Sequence, residues 1–434
     1  MQIKDFLNLV CEQIKYKPVR KEISEEIKSH IEERKKEYML CGLAENDAET
    51  RAVEQMGSPE EIGKNLNKVH KPKLDWKLLI IILIVACFGV LVTLTRANNY
   101  VITDQTDIIS KYIVCLLIGT ILSIAIYFID YRKISKYSIL LYIIASLFII
   151  LSLIAGIKYN GKPYLHIIFV SVSPAVISIP LFILAFIGFI QKIDKEKNVE
   201  VFGFKINIDI LSLILFMGIQ SVTSTFIVGV IYLIISTVKL LKENRKYIIM
   251  LWAIPLLLGV IVISLYINSG YNFNRIWYSF NPEIDPDGNG YFGINQNLII
   301  NSAQLFGEAD NTSNLITIFD EGTNFVLMSI LAHYGWIITI GIIAAIILLN
   351  IKLIINAIKI KDIYGKLIII GISCLFILQS ALNILMNFNL GIKVDINIPL
   401  ISYGGINLII NMMCLALVLS VYRKKDVLVY EKCM

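Results

Sequence analysis

Apolar runs of bilayer-spanning length recur along most of this chain, and that recurrence limits its fold more than any other feature. A helix that crosses a membrane needs about 20 predominantly apolar residues. Such runs lie at about 77–95, 110–129, 137–156, 167–190, 206–220, 222–241, 247–267, 325–349, 364–388 and 398–421. A single-span anchor, an ordinary cytosolic globule and a disordered chain are all excluded. Composition agrees: of 434 residues 56% are hydrophobic and 17% charged, with mean hydropathy +0.70, where a soluble domain carries about 25% charged residues. The charge is also uneven, since residues 1–75 hold 29 of the 74 charged side chains. The expectation is an all-α polytopic membrane protein of about ten transmembrane helices, preceded by a small soluble helical bundle. The domains expected are 1–75, 76–425 and a tail at 426–434.

Positive charge sets orientation in a bilayer. Loops 130–136, 191–205, 239–246 and 350–363 are basic, as is the tail with Arg423, Lys424 and Lys425, while the alternate loops are less so. Merging the short fifth run with the sixth breaks that alternation, so ten spans with both termini cytoplasmic fit best. The net charge of +6 therefore points to topology and not to nucleic acid. The first apolar run begins only near Trp76, so no cleavable signal peptide is expected. The seven cysteines show neither a disulfide framework nor metal-ligand spacing.

In the first domain Ile23, Ile27 and Ile31 recur every fourth residue among charges, which predicts one amphipathic helix over Val19–Leu40 ended by Gly42. Ala48, Ala52, Val53 and Met56 predict a second helix that stops at Gly57. Ser58-Pro59-Glu60-Glu61 predicts a third, opened by a capping box between Ser58 and Glu61 with Pro59 at its first position. A three- or four-helix bundle results. Outside the membrane, residues 268–324 form a long acidic loop (Glu283, Asp285, Asp287, Glu308, Asp310, Asp320, Glu321). Tyr271, Phe273, Trp277, Phe280, Leu298, Ile299 and Phe306 are expected to anchor it over the outer face.

Two resemblances enter on particular residues. The run from Gly42-Leu43-Ala44-Glu45 through Gly57-Ser58-Pro59-Glu60-Glu61-Ile62 resembles the small helical prefix domain that precedes several bacterial membrane proteins and permeases, which implies regulation or partner docking, or else a solubilising cap. The last apolar run reads Pro399-Leu400-Ile401-Ser402-Tyr403-Gly404-Gly405, which resembles the Pro-x-x-Ser-Tyr-Gly-Gly signature of the shape, elongation, division and sporulation (SEDS) family, the RodA, FtsW and SpoVE proteins. Asn281-Pro282, Asp285-Pro286, Gly288, Gly290-Tyr291, Gln296, Leu305-Phe306-Gly307, Thr323-Asn324-Phe325, Asn383 and Asn387 continue the likeness in register. The resemblance implies a bacterial plasma-membrane protein that polymerises glycan strands from lipid II alongside a class B penicillin-binding protein, a transpeptidase. A divalent cation is implied if it is active. Such chemistry asks for a base near the outer surface and for positive charge on the departing diphosphate.

The sequence departs from the family pattern at charged positions. Asn324 stands where the family has the Asp of Thr-Asp-Phe, and an amide cannot accept the proton a carboxylate takes. The family's Arg-Arg-Trp falls at Pro163-Tyr164-Leu165, its Gln-Pro-Ser-Glu at Ser173-Pro174-Ala175-Val176, and its Gln-Pro-Asp-Leu-Gly-Thr at Gln220-Ser221-Val222-Thr223-Ser224-Thr225. Polymerisation is therefore expected to be absent or much slower than in members that keep the Asp. Two other functions stay open: a non-catalytic scaffold or regulator of cell-wall machinery, and a lipid II-binding or translocating protein. Asn324 is the candidate reaction-centre residue, or else a helix cap or interhelical bond. Asp320 and Glu321, one turn earlier, are candidate substitute carboxylates, or else complements to a helix dipole. Arg275 is the candidate diphosphate contact, or else an ion-pair partner of Glu283 or Asp285. Ser402, Tyr403, Gly404 and Gly405 are candidates for a lipid-substrate groove, or else a helix break for close packing.

Overall fold

A computed structural model describes the chain apart from residues 1, 17–19, 70–72, 99–101, 160–161, 168–169, 197–210, 220, 244–276, 289, 310–323, 403 and 426–434. The chain divides into two compact units, one of residues up to Asp75 with the chain end from Val421, the other Trp76–Ser420.

The first unit contains four helices, Ile3–Gln13, Arg20–Leu40, Glu45–Met56 and Pro59–Val69. The isoleucine stripe is its spine: Ile23, Ile27 and Ile31 are buried with Phe6, Leu7, Val10, Ile14, Ala52 and Val53. Gly42 and Gly57 follow the second and third helices with φ of +91° and +90°, the left-handed conformation in which glycine carries no Cβ penalty. Lys35 joins the second helix to the third through Glu45 at 2.9 Å and Glu49 at 3.0 Å. The predicted capping box takes another form, because the Ser58 hydroxyl donates to the Glu60 carboxylate at 3.0 Å.

In the second unit eight helices among the described residues are long and apolar enough to cross a membrane: Trp76–Ala97, Ile108–Phe128, Tyr131–Ala155, Pro174–Gln191, Val222–Lys239, Trp336–Lys359, Ile363–Asn387 and Gly405–Arg423. The expected span at 247–267 lies outside the described residues. Of the one at 206–220, residues 211–218 are helical. Only 11% of the Ile108–Phe128 window is buried against 67% for Pro174–Gln191, so the former presents Leu117, Ile121 and Phe128 outward, as a lipid-facing helix does.

Four boundaries differ from the sequence expectation. The fourth span starts at Pro174 and not at 167. The residues before it form an antiparallel meander of β1 (Ile157–Tyr159), β2 (Lys162–Ile167) and β3 (Val170–Val172), with Tyr159 opposite Lys162 and Leu165 opposite Val172. This small sheet is the one exception to an all-α architecture among the described residues. β-Branched residues alternating with Ser favour strands, and Pro174 is suited to a first helical position. The eighth span is broken at Gly335, whose φ of +81° separates Val326–Tyr334 from Trp336–Lys359. The carbonyls of Gln304 and Leu305 take up the first N–H groups of the second piece, Trp336 and Ile337, each at 3.1 Å. The basic loop at 350–363 is mostly helix, which runs on to Lys359 and buries Lys352. Asp362 then caps the next helix by accepting from the Tyr364 and Gly365 amides. The last helix starts at Gly405 and not at 398. Residues 398–402 form a turn with Leu400 at φ +65°.

The long loop is folded where it is described, with the Tyr291–Ser302 helix packing Ile299 against Met328, Leu331 and Ala332. The expected anchors are otherwise corrected. Trp277, Phe280, Leu298 and Phe306 are exposed, and Tyr271 and Phe273 lie outside the described residues. Polar contacts secure the loop instead: the buried Gln296 amide donates to the carbonyls of Met386 at 3.0 Å and Asn387 at 3.1 Å, at the end of the Ile363–Asn387 helix.

Candidate functional site

Asn383 and Asn387 lie one turn apart on the Ile363–Asn387 helix, which puts them on one face. Both are fully buried, so their amides need partners. Asn387 Nδ2 donates to the Asn324 carbonyl at 3.0 Å and to Asn383 Oδ1 at 2.7 Å, while its Oδ1 accepts the Met328 amide at 3.1 Å. Asn383 Nδ2 is shared between the carbonyls of Asn324, at 2.9 Å, and Ile396, at 2.5 Å. The two asparagines thus bind together two segments far apart in sequence, one containing Asn324 and one containing Asp395.

Those segments meet through their side chains. Asn324 Nδ2 donates to Asp395 Oδ1 at 3.0 Å. The other oxygen, Oδ2, accepts from Lys162 Nζ at 3.2 Å and Tyr164 Oη at 3.1 Å, both on β2. Burial pushes the Asp395 carboxyl up, but the Lys162 charge and the hydrogen bonds from Asn324, Lys162 and Tyr164 outweigh it and hold the carboxyl below the usual aspartate range. The Tyr164 phenol is driven up by burial and by the Asp395 charge. At neutral pH the site therefore holds a carboxylate and a protonated phenol, with the Lys162 side chain in contact with the carboxylate.

Asp395, Lys162 and Tyr164 line a cavity of about 240 Å³. Three stretches at which the sequence departs from the family pattern converge on it: Pro163 and Tyr164, Ser173 to Val176, and Ser221 with Ser224. Val222, where the third stretch has its family Asp, points elsewhere and is exposed. Gly404 and Gly405 also line the cavity. A Cβ on Gly405 would stand 2.5 Å from Cys115 Sγ, so a glycine lets the last helix approach the Ile102–Phe128 helix there. The amide oxygens of Gln379 and Asn397, both in the lining, are buried and accept no hydrogen bond among the described residues.

The predicted residues fare differently. Asn324 is in the cluster but is not a helix cap, since Phe325 holds that position. Ser402 is buried beneath the site, where its hydroxyl accepts the Ile398 amide at 2.9 Å and fixes the turn before the last helix. Asp320, Glu321, Arg275 and Tyr403 lie outside the described residues. Sequence reasoning missed Asp395 and Lys162. Asp395 is the lone acidic residue between 363 and 425 and stands four positions before Pro399, a signal that was available.

A divalent cation finds no ready ligand set here. Such ions take about six oxygen ligands, whereas Asp395 is the one carboxylate lining the cavity among the described residues, and both its oxygens already accept hydrogen bonds. Lys162 supplies the positive charge at this point. No group of three or more potential metal-binding side chains occurs among the described residues.

Comparison with known proteins agrees with this architecture. The chain is 21% identical over 357 residues to a protein named probable peptidoglycan glycosyltransferase FtsW from Trichlorobacter lovleyi, covering 80% of this chain and 92% of that protein. It is 24% identical to stage V sporulation protein E of Bacillus subtilis, covering 81% and 98%. Among solved structures, the rod shape determining protein RodA of Thermus thermophilus superposes with a TM-score of 0.58 at 18% identity, over 81% of this chain and 97% of that one. A chain from a study of structural coordination of polymerization and crosslinking by a peptidoglycan synthase complex gives 0.63 at 17% identity, over 81% and 98%. At such identities the structures speak for the fold alone. Residues 75–427 match the cell cycle protein family of FtsW, RodA and SpoVE, and this multi-pass membrane protein belongs to that family.

Proposed function

We propose that this chain is a membrane glycosyltransferase that polymerises glycan strands from lipid II, working beside a class B penicillin-binding protein. The observation that carries the reading is the cavity in which Asp395 and Lys162 lie in contact. A carboxylate and an ammonium in one polar recess are what a hydroxyl nucleophile and a departing diphosphate require. Relatives named peptidoglycan glycosyltransferase, and a structural neighbour from a peptidoglycan synthase complex, support the same chemistry and the same kind of partner. The amide oxygens of Gln379 and Asn397, which accept no hydrogen bond among the described residues, suit a substrate rich in hydroxyl and amide donors.

The test is polymerisation of purified lipid II by the full-length protein in proteoliposomes, alone and with a co-expressed class B penicillin-binding protein. Glycan strands are expected in at least one condition. Lipid II bound without any polymer would favour the scaffold or lipid-carrier reading, which the Asn at 324 supports.

In this reading residues 1–75 form a cytoplasmic docking or regulatory domain, 76–425 the membrane domain, and 426–434 a cytoplasmic tail, with the 268–324 loop outside. The alternation of basic clusters supports the orientation. Asp287 is exposed on that loop. In a background without native cysteines, Asp287→Cys is expected to react with a membrane-impermeant thiol reagent added to intact cells. Reaction from the inner side alone would reverse the orientation.

A further inference from the structure

The family pattern puts its acid at Asn324 and its cations at Pro163-Tyr164-Leu165, where this chain has none. A carboxylate and an ammonium are nevertheless present within one residue contact of those places. Asp395 accepts the amide of Asn324 at 3.0 Å, and Lys162 immediately precedes Pro163 on β2. Resting on the glycosyltransferase reading above, we propose that the charges of this site have been relocated: Asp395 is the general base, Lys162 meets the leaving diphosphate, and Asn324 is a positioning residue that orients Asp395.

The hydrogen bonds specify which atom does what. An ionised carboxylate offers about four acceptor sites. Among the described residues Oδ2 takes two donors, Lys162 and Tyr164, whereas Oδ1 takes one, the Asn324 amide. Oδ1 is the atom left with room for an incoming hydroxyl. In the transfer step the acceptor sugar oxygen bonds to the anomeric carbon as the bond from that carbon to the diphosphate oxygen breaks. The hydroxyl proton passes to Asp395 Oδ1. The electron pair leaves with the diphosphate, whose charge is met by Lys162 Nζ. Lys162 also couples the two events. While it rests on Asp395 its charge helps hold the carboxyl low and keeps the carboxylate a weak base. As it turns to the diphosphate that attraction falls, and the carboxylate becomes a stronger base when the proton must move.

A purely structural role, tying β2 to the loop before the last helix, is a poorer account. The pair is 30% and 38% exposed, and ion pairs so open to solvent add little to stability. Among the described residues the titratable groups in contact with Asp395 are Lys162 and Tyr164. Lys393, two residues earlier in the same loop, sits over the Phe292 ring at 5.7 Å.

The experiment measures lipid II polymerisation and lipid II binding by the full chain in proteoliposomes, for wild type, Asp395→Asn, Lys162→Met and the exchange Asn324→Asp/Asp395→Asn. Asp395→Asn is expected to slow polymerisation by about 10²-fold or more, the scale of general-base catalysis, with binding unchanged within a few-fold. The exchange keeps one carboxylate and one amide in contact and is expected to recover at least about tenfold of that loss. In Lys162→Met the acidic limb of kcat/KM should move to higher pH, because the ammonium that holds the Asp395 carboxyl down is gone; a structural tie would not move it. Full activity of Asp395→Asn in a protein whose wild type polymerises overturns the inference alone, as does a folded but inactive exchange variant or an unmoved acidic limb. A wild type that makes no polymer overturns the glycosyltransferase reading, and this inference with it.

Discussion

Asn324→Asp, which restores the family's residue, is expected to slow the protein at neutral pH by about tenfold and to destabilise it by about 1–3 kcal/mol. In the native site the Asn324 amide donates to Asp395 at 3.0 Å. An aspartate there has no N–H to donate, and two carboxylates facing each other at that distance cannot both ionise cheaply. One of the two pKa values must rise, as in any pair of acids that share a site. The sign follows. Both groups are charged in the unfolded chain at neutral pH, so the penalty is greatest above the raised value. It shrinks as pH falls through that value and the pair takes up a proton. Thermal denaturation in detergent across pH 4–8 would show the variant converging on wild type at the acidic end, and a polymerisation assay would give the rate. A faster Asn324→Asp would mean that a carboxylate works best from position 324, leaving Asp395 as a bystander.

The expectation of lost chemistry and the charged site found in the structure come from the same residues compared in two ways. Aligned by position, the chain has an Asn for an Asp and a Pro-Tyr for two arginines. Arranged in space, a lysine one residue away on β2 and a carboxylate from a loop 71 residues further along the chain lie beside those positions. Position-by-position comparison cannot see this, because the contact between Asn324 and Asp395 is set by Asn383 and Asn387, which hold both backbones. The apolar periodicity made the spans legible, since length and hydrophobicity alone dictate a bilayer helix. It could not place their ends. Residues 167–173 and 398–404 are apolar enough to extend the fourth and tenth spans, yet 170–172 are strand and 398–402 a turn, because cross-strand pairing and the bond between Ser402 and Ile398 compete successfully with helix there. Both misplaced ends border the cavity, so the least legible segments are those that build the site. Gly335 was similarly hidden, since a lone glycine in an apolar run is tolerated in a helix. What makes it a break is the pair of carbonyls at Gln304 and Leu305 that cap the helix after it.

If the asparagine pair is what assembles the site, Asn387→Leu is expected to cost about 2 kcal/mol of stability and about 10²-fold in rate. Leu has the same number and branching of side-chain heavy atoms as Asn but makes none of its bonds. The Met328 N–H, in the first turn of the Val326–Tyr334 helix, would lose its acceptor inside a cluster with no solvent to replace it. The Asn324 carbonyl would lose one of two donors, and Asn383 would lose the donor that fixes its orientation. Polar bonds between membrane helices average only about 0.6 kcal/mol, so these losses alone would be modest. The stranded helix N–H raises the total. The rate should suffer more than the stability, because the Asn324 backbone sets where its amide meets Asp395, and a displacement of about 1 Å in a positioning group can cost about 10²-fold. Asn387→Asp keeps the acceptor for Met328 while losing both donors, so it should fall between wild type and Asn387→Leu in stability yet stay as slow as the leucine variant. Denaturation midpoints and lipid II polymerisation rates for the two variants decide the matter. Equal rates for both variants and wild type would mean that Asp395 is held by β2 alone.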